Sequence, residues 1–266
     1  MHVTHTFAPN YPRYGAATTR AVRPRRAPGA PLSVASTTDV SSAVRWSPMS
    51  PQPLPPHRPV PHPAPPDGPT APSPNGLTAL ARLLSGLPPS IGPVRLAAVD
   101  GHAGSGKSTF AARLADALGG APVLRLDDLA SHEALFAWTE RLTAQVLTPL
   151  RRGEPARYGV YDWVDRTYAH TAELPPAPVV LVEGVGAGRR ALRPWLAALM
   201  WMDMPADAAH ARGMGRDGPE LTEFWEGWRR AERTHFAEDP SSPHANFLVR
   251  ECRESYEVRE GPQGHP

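Results

Sequence analysis

The sequence predicts an α/β fold in which helices flank a parallel five-stranded sheet. Short apolar runs alternate with amphipathic stretches along residues 77–266, a pattern typical of parallel sheets covered on both faces. A glycine-rich segment follows the first apolar run. Acidic residues follow two later runs, at the carboxyl ends of the strands, where such folds bind ligands.

The glycine-rich segment fits the pattern G-x-x-x-x-G-K-[ST], and it holds Lys107, the only lysine of the chain. An ammonium group is a compact point charge that fits between phosphates, whereas guanidinium is broad and planar. Glycines let backbone N–H groups converge on an anion, and Ser108 is placed to ligate Mg²⁺. We therefore predict a P-loop NTPase fold that binds ATP and Mg²⁺. The predicted nucleotide-binding residues are Gly101, His102, Ala103, Gly104, Ser105, Gly106, Lys107, Ser108 and Thr109.

Apolar spacing places the individual elements. Apolar runs bounded by glycine, proline or acidic residues predict strands over residues 94–100, 122–126, 178–182, 200–203 and 247–249. Spacings of three and four between apolar residues predict helices over residues 77–87, 108–118, 132–150, 190–199, 206–216 and 220–237. Gly119 and Gly120 are expected to end the helix that follows the glycine-rich segment.

Residues 1–76 differ in composition from the rest of the chain. They contain 18 of the 34 prolines, several arginines and no glutamate, and they lack apolar periodicity. We predict a disordered Pro/Arg-rich tail over 1–76 and one domain over 77–266. Four interpretations of the tail stay open: a solvated spacer, an arm that docks a protein partner, an organelle transit segment, or a misassigned start codon.

Composition also narrows the class of protein. No apolar run approaches the 18 residues of a membrane span, so no membrane association is expected. The single cysteine, Cys252, cannot form an internal disulfide, which favours a buried thiol in a reducing, cytoplasmic setting. The expected partner is a small-molecule acceptor rather than a nucleic acid.

Three carboxylates follow predicted strands and are candidates for chemistry. Asp127 and Asp128 end the second strand, and Glu183 ends the most apolar one. An acid at such a strand end holds Mg²⁺ directly or through water, so Glu183 and Ser108 are the predicted metal ligands. Asp127 is the predicted general base. Asp128 is a second catalytic candidate, although either aspartate could instead cap a helix.

Positive charge is also needed on the far side of the phosphates. Arg212 and Arg216 are four residues apart on a predicted helix and share a face. They are predicted to close over the triphosphate as a lid, and the alternative is a solvated helix face. Neighbouring glycines at 213, 215 and 218 would suit a mobile element.

Four motifs in order resemble the uridine kinase-like P-loop kinases, most closely the short bacterial members. They are Val99–Thr109, Leu126–Leu129, Tyr161–Val164 and Val182–Gly184. The resemblance spans residues 94–250. It implies ATP-dependent phosphorylation of a nucleoside-type hydroxyl, with Asp127 as base and Arg212 and Arg216 in the lid. It also implies that Tyr161, Asp162 and Arg166 lie near the acceptor.

The sequence lacks the motifs of two other classes of nucleotide-binding protein. A regulatory GTPase needs an Asn-Lys-x-Asp motif, and the chain has no lysine outside the glycine-rich segment. An ABC-type ATPase needs a Leu-Ser-Gly-Gly-Gln signature downstream of that segment, and the Leu84–Gly86 fragment lies upstream. Two alternatives remain: an ATP-binding sensor or scaffold without kinase activity, and a kinase of a nucleotide or another small hydroxyl compound.

Overall fold

The computed structural model describes residues 76–253 and 255–266. The predicted tail lies outside these residues except for Gly76, so the boundary at residue 76 stays a prediction. The helices are α1 (Gly76–Gly86), α2 (Lys107–Ala117), α3 (Thr139–Leu142), α4 (Thr148–Arg151), α5 (Ala206–Asp217) and α6 (Thr222–Glu238). A π-helical turn over Thr143–Leu147 joins α3 to α4. Among the described residues, no helix is both long and apolar enough to cross a membrane.

The strands are β1 (Arg95–Asp100), β2 (Val123–Arg125), β3 (Ala156–Asp162), β4 (Thr167–Leu174), β5 (Val179–Glu183), β6 (Ala198–Met202), β7 (Phe247–Cys252) and β8 (Ser255–Glu260). Six of them form one sheet in the order β2-β5-β1-β6-β7-β8. The first five are parallel, which confirms the predicted fold class, and β8 adds an antiparallel edge. Strands β3 and β4 form a separate antiparallel hairpin that the sequence did not predict.

Apolar side chains pack on both faces of the large sheet. Ala97 and Val99 of β1 face one layer, with α1 and α2. Leu96 and Ala98 face the other, with Trp138 and the helical segment after it. All five residues of β5 are buried, as expected for a central strand covered on both sides. This arrangement brings the carboxyl ends of β1, β2 and β5 to one edge of the sheet.

The helix predicted over residues 132–150 is wrong in its first part, because helical structure begins at Thr139. The segment before Thr139 is held instead by contacts with other parts of the chain. The Phe136 carbonyl accepts a hydrogen bond from Arg189 at 2.7 Å, and the His132 ring nitrogen lies 3.0 Å from the Tyr161 hydroxyl. Its apolar residues therefore pack from a loop, although their spacing is helical.

The helix predicted over residues 190–199 is also wrong. Only the 3₁₀ turn Arg193–Trp195 forms there, and β6 begins at Ala198. Pro194 has no N–H to donate, and Ala198 pairs in parallel with Ala97 of β1, so the chain extends before a helix can form. The predicted burial of Cys252 is wrong as well, because the strand end that carries it is exposed.

Candidate active site

The glycine-rich segment forms a loop between β1 and α2. Gly101, Gly104 and Gly106 have φ values of 147°, 86° and 94°, which side chains rarely adopt. Lys107 begins α2, and its Nζ donates a hydrogen bond to the His102 carbonyl at 2.9 Å. No side chain caps the start of α2. The loop therefore presents a buried ammonium group and uncapped helix amides, the groups that bind phosphate.

Glu183 lies at the end of β5, between the ends of β2 and β1. Its carboxylate accepts a hydrogen bond from the Ser108 hydroxyl and lies 3.8 Å from Nε of Arg125. Burial and the Asp127 charge together raise the pKa of Glu183 to about 7, although the Lys107 charge opposes them in part. The two predicted metal ligands, Ser108 and Glu183, are thus already in contact.

Asp127 and Asp128 lie in a 3₁₀ turn that directly follows β2. Both carboxylates are partly accessible. Burial raises the pKa of Asp127, while the charges of Lys107, Arg125 and Arg216 lower it in part. Burial, with the neighbouring Asp127 charge, raises the pKa of Asp128 to about 6. A carboxylate with a raised pKa near the phosphate loop is suited to accept a proton.

Helix α5 packs against the glycine-rich loop. A side-chain carbon added at Gly104 would clash with the backbone of Ala209, so the two segments approach closely. Arg212 extends over Gly106 and forms an ion pair with Glu251 at 2.6 Å. Arg216 pairs with Asp217 at 2.6 Å, and its charge also acts on Asp127. Both predicted lid arginines therefore lie near the loop, each with a carboxylate partner.

The three residues that were predicted to contact the acceptor lie on the hairpin β3–β4, but their surroundings differ. Tyr161 is buried beside His132. The Asp162 carboxylate accepts hydrogen bonds from the backbone N–H groups of Val164 and Asp165, and these bonds lower its pKa. Arg166 lies in the exposed turn with a φ of 53°. Asp162 thus stabilises the hairpin turn, and the predicted contact of Asp162 and Arg166 with the acceptor stays a prediction.

Sequence reasoning missed Asp100, the last residue of β1. Its buried carboxylate accepts hydrogen bonds from the backbone N–H groups of Gly101, Gly186 and Gly188, at 2.7, 2.9 and 2.8 Å. It therefore ties the phosphate loop to the loop that follows Glu183. An acid at a strand end, together with a second glycine-rich segment over 184–188, was the signal available in the sequence.

Replacing this carboxylate is expected to destabilise the protein. Asp100→Ala leaves three buried N–H groups without their acceptor, so we expect a loss of roughly 3 kcal/mol or more in unfolding free energy. Urea unfolding followed by circular dichroism measures it. Asp203→Ala is the control, since Asp203 pairs with Arg250 and Arg259 at the surface and should cost less than about 1 kcal/mol. Equal losses in the two variants would contradict the role of Asp100.

Glu232 on α6 was also missed, because nothing in the sequence marks a contact across 130 positions. Its carboxylate lies 2.5 Å from Nδ1 of His102 and accepts hydrogen bonds from the Ala103 N–H and the Trp228 indole, each at 3.0 Å. Burial opposes ionisation of Glu232, but the hydrogen bonds from His102 and Ala103 and the Lys107 charge lower its pKa overall. Helix α6 is thus fixed to the phosphate loop.

Glu183→Gln is expected to stabilise the nucleotide-free protein above neutral pH. Glu183 has a pKa of about 7 when folded and about 4.5 when unfolded, so the folded state binds more protons between these values. The stability contributed by this group therefore falls as the pH rises through that window. At pH 8 the variant should gain on the order of 2 kcal/mol, and the gain should vanish near pH 4.

Urea unfolding at pH 5 and pH 8 compares the variant with the wild type. The matched control is Glu173→Gln, which neutralises an exposed carboxylate on β4. A pH dependence of stability that is the same in wild type, Glu183→Gln and Glu173→Gln would contradict the raised pKa of Glu183.

No family model and no curated protein matches the chain. Three similar solved structures are kinases by name. A possible uridine kinase from Bacillus stearothermophilus has 19% identity and a TM-score of 0.41, covering 58% of this chain and 94% of that one. A provisionally assigned fructose transport system kinase from Silicibacter sp. has 22% identity and a TM-score of 0.43, covering 62% and 89%.

The third similar structure is D-glycerate 3-kinase from Cryptococcus neoformans, with 15% identity and a TM-score of 0.30. The match covers 66% of this chain and 70% of that one. The TM-scores all lie below 0.5, so no residue role in this chain is taken from these structures.

Proposed function

We propose that the protein transfers the terminal phosphoryl group of ATP to a hydroxyl group of a small acceptor, in a reaction that requires Mg²⁺. One observation carries the proposal: the P-loop lysine and two strand-end carboxylates converge at the same edge of the sheet. The charge of Lys107 acts on both Glu183 and Asp127. A binding protein needs the lysine, whereas a second, partly accessible carboxylate beside it suits proton transfer.

The residues of the loop fit a triphosphate with its metal ion. Lys107 and the backbone amides of 101–109 would hold the β- and γ-phosphates, and Ser108 and Glu183 would hold Mg²⁺. Bound Mg²⁺ supplies positive charge that neutralises the phosphate oxygens. Among the described residues, no group of three or more His, Cys, Asp or Glu side chains could hold a metal ion by itself. This agrees with an ion that takes few protein ligands and binds mainly to phosphate and water.

Asp127 would accept the proton of the acceptor hydroxyl. Its raised pKa favours proton uptake, and the charges of Lys107, Arg125 and Arg216 oppose that rise in part. Arg212 and Arg216 would add positive charge from α5 by exchanging Glu251 and Asp217 for phosphate oxygens. Asp128 lies beside the base, and burial together with the Asp127 charge raises the pKa of Asp128.

Aromatic side chains beside Asp127 favour a nucleoside-type acceptor. The Trp163 indole donates a hydrogen bond to the Asp127 carbonyl at 3.2 Å. The rings of His132 and Tyr161 lie 5.0 and 5.3 Å from that of Trp163. Rings of this kind stack on planar bases, so they would hold a nucleobase close to Asp127. Tyr161 and Trp163 are the candidate contacts on the hairpin.

The test is phosphoryl transfer from labelled ATP and Mg²⁺ to a panel of nucleosides, nucleoside monophosphates and small alcohols. We expect transfer to at least one nucleoside, and none when Mg²⁺ is replaced by EDTA. A Lys107→Ala preparation purified in the same way controls for contaminating kinases. Transfer only to another class would refute the nucleoside acceptor. Tight ATP binding without transfer to any member would indicate a nucleotide sensor or scaffold instead.

A further inference from the structure

Arg189 places a guanidinium group inside the protein, and one edge of that group makes no hydrogen bond within the described residues. The residue follows Gly188 in the loop after β5 and is only 8% exposed. Its Nη1 donates to the Phe136 carbonyl at 2.7 Å and to the Thr139 hydroxyl at 2.6 Å. The guanidinium lies 3.9 Å from the centre of the Trp138 ring, which fixes its plane. Its Nε and Nη2 are buried and have no hydrogen-bond partner within the described residues.

The unused edge has the shape of an oxyanion receptor. Nε–H and Nη2–H of arginine lie side by side and match two oxygens of a carboxylate or phosphate. In the described part of the chain, no carboxylate lies within ion-pair distance of Arg189. Burial lowers the pKa of Arg189, and the more distant charges of Asp239 and Asp100 offset this in part. An unpaired buried cation is costly, so a bound anion would relieve that cost.

A second unpartnered nitrogen faces the same point. Nε2 of His235, on α6, is buried and has no hydrogen-bond partner in the described residues. A carbon added at Gly186 would lie 2.7 Å from this nitrogen and 3.2 Å from Nη2 of Arg189. The His235 ring is stacked on Phe136 with an interplanar angle of 6°. Nη2 of Arg189 and Nε2 of His235 therefore approach the same point from different elements.

A cavity of about 730 Å³ lies beside this pair of residues, between α6 and the loops before α3 and after β5. Its lining includes Phe136, Thr139, Arg189, Arg190 and His235. Asp239 also lines it, but its carboxylate is held by Nη2 of Arg193 at 2.6 Å and by the Arg190 N–H at 2.8 Å. The Asp239 carboxylate is thus already paired, and the Arg189 edge is left for a ligand.

We propose that this cavity binds a small molecule through an oxyanion group, either a carboxylate or a phosphate monoester, held by Nε and Nη2 of Arg189 and by His235. The site is separate from the triphosphate loop, since no residue of 101–109 lines the cavity. Because the Arg189 edge is buried beside His235, the ligand reaches it only after a shift of the His235 side chain, which also lines the cavity.

The experiment measures anion binding without ATP or Mg²⁺, in the full-length Lys107→Ala protein, so that phosphate binding by the loop is weakened. Isothermal titration calorimetry with glycolate and with inorganic phosphate, against chloride at equal ionic strength, distinguishes the two oxyanion classes. We expect saturable binding of at least one probe. Failure of both to bind above the chloride control would overturn the proposal.

Two variants test the geometry. Arg189→Lys keeps the charge but loses the paired N–H edge, and it should weaken binding at least tenfold. Arg230→Lys changes an exposed arginine of α6 that does not line the cavity, and it should leave binding within about twofold. If Arg189→Lys does not fold, Thr139→Val takes its place. It removes a partner of Nη1 and should weaken binding severalfold. Unchanged affinity in the folded Arg189 variant, or in Thr139→Val where that is used, would refute the site.

Discussion

Asp127→Asn is expected to abolish phosphoryl transfer while ATP still binds. An amide cannot accept the proton of the acceptor hydroxyl, and Asp127 is the partly accessible carboxylate whose pKa is raised near Lys107. The glycine-rich loop and Glu183 are unchanged in this variant. Loss of the general base alone costs about 10²–10⁴-fold, and misalignment of the acceptor should add to that. Single-turnover transfer and calorimetric titration of ATP measure the two properties separately.

Two further variants make this result specific. Asp116→Asn changes an exposed aspartate of α2 and should leave both the rate and ATP affinity unchanged. Asp128→Asn removes the neighbouring carboxylate, whose own pKa is raised by burial and by the Asp127 charge. Because Asp127 remains in place as the base, this variant should retain most of the transfer rate. Full activity of Asp127→Asn together with an inactive Asp128→Asn would assign the base to Asp128.

Lys107→Ala should lower the rate of transfer by about 10²–10³, the size seen when one donor that stabilises transferring oxygens is removed. The chain has no second lysine, and the Lys107 ammonium, only 7% exposed, already donates to the loop carbonyl of His102. Arg82→Ala, an exposed change on α1, is the matched control. Steady-state rates at saturating acceptor measure the effect. A rate within threefold of wild type would remove the loop from the proposed chemistry.

Lys107→Arg separates charge from shape. Guanidinium keeps the positive charge but is broader than ammonium, so it should not restore the rate in a loop that packs closely against α5. Circular dichroism should show both Lys107 variants folded. Recovery of wild-type activity by arginine would mean that charge alone suffices at this position.

Local sequence predicted the parts of the fold that depend on local contacts. The run before Gly101 and the run before Glu183 became the buried strands β1 and β5, because wholly apolar segments must be covered on both faces. The spacing of the glycines likewise predicted the phosphate loop. Residues 132–138 show the limit of this reasoning: their apolar spacing is helical, but Arg189 takes the carbonyl that a helix would use.

The sequence likewise predicted some residues of the candidate site and missed others. Lys107, Ser108 and Glu183 were predictable, because a strand end and a helix start bring them together. Glu232 was not, because its contact with His102 depends on how α6 crosses the sheet. Asp162 was predicted at the acceptor, but its carboxylate bonds its own turn, as aspartate often does two and three residues ahead of itself.

The solitary lysine also allows occupancy of the loop to be measured by chemical footprinting. Apart from the amino terminus, Lys107 is the only primary amine that an acylating reagent can modify. Because its ammonium lies at the floor of the loop, an occupied loop should shield it and an empty one should leave it to react slowly. The acylated fraction, read as a single mass increment on one peptide, would report occupancy of the loop by any competing compound.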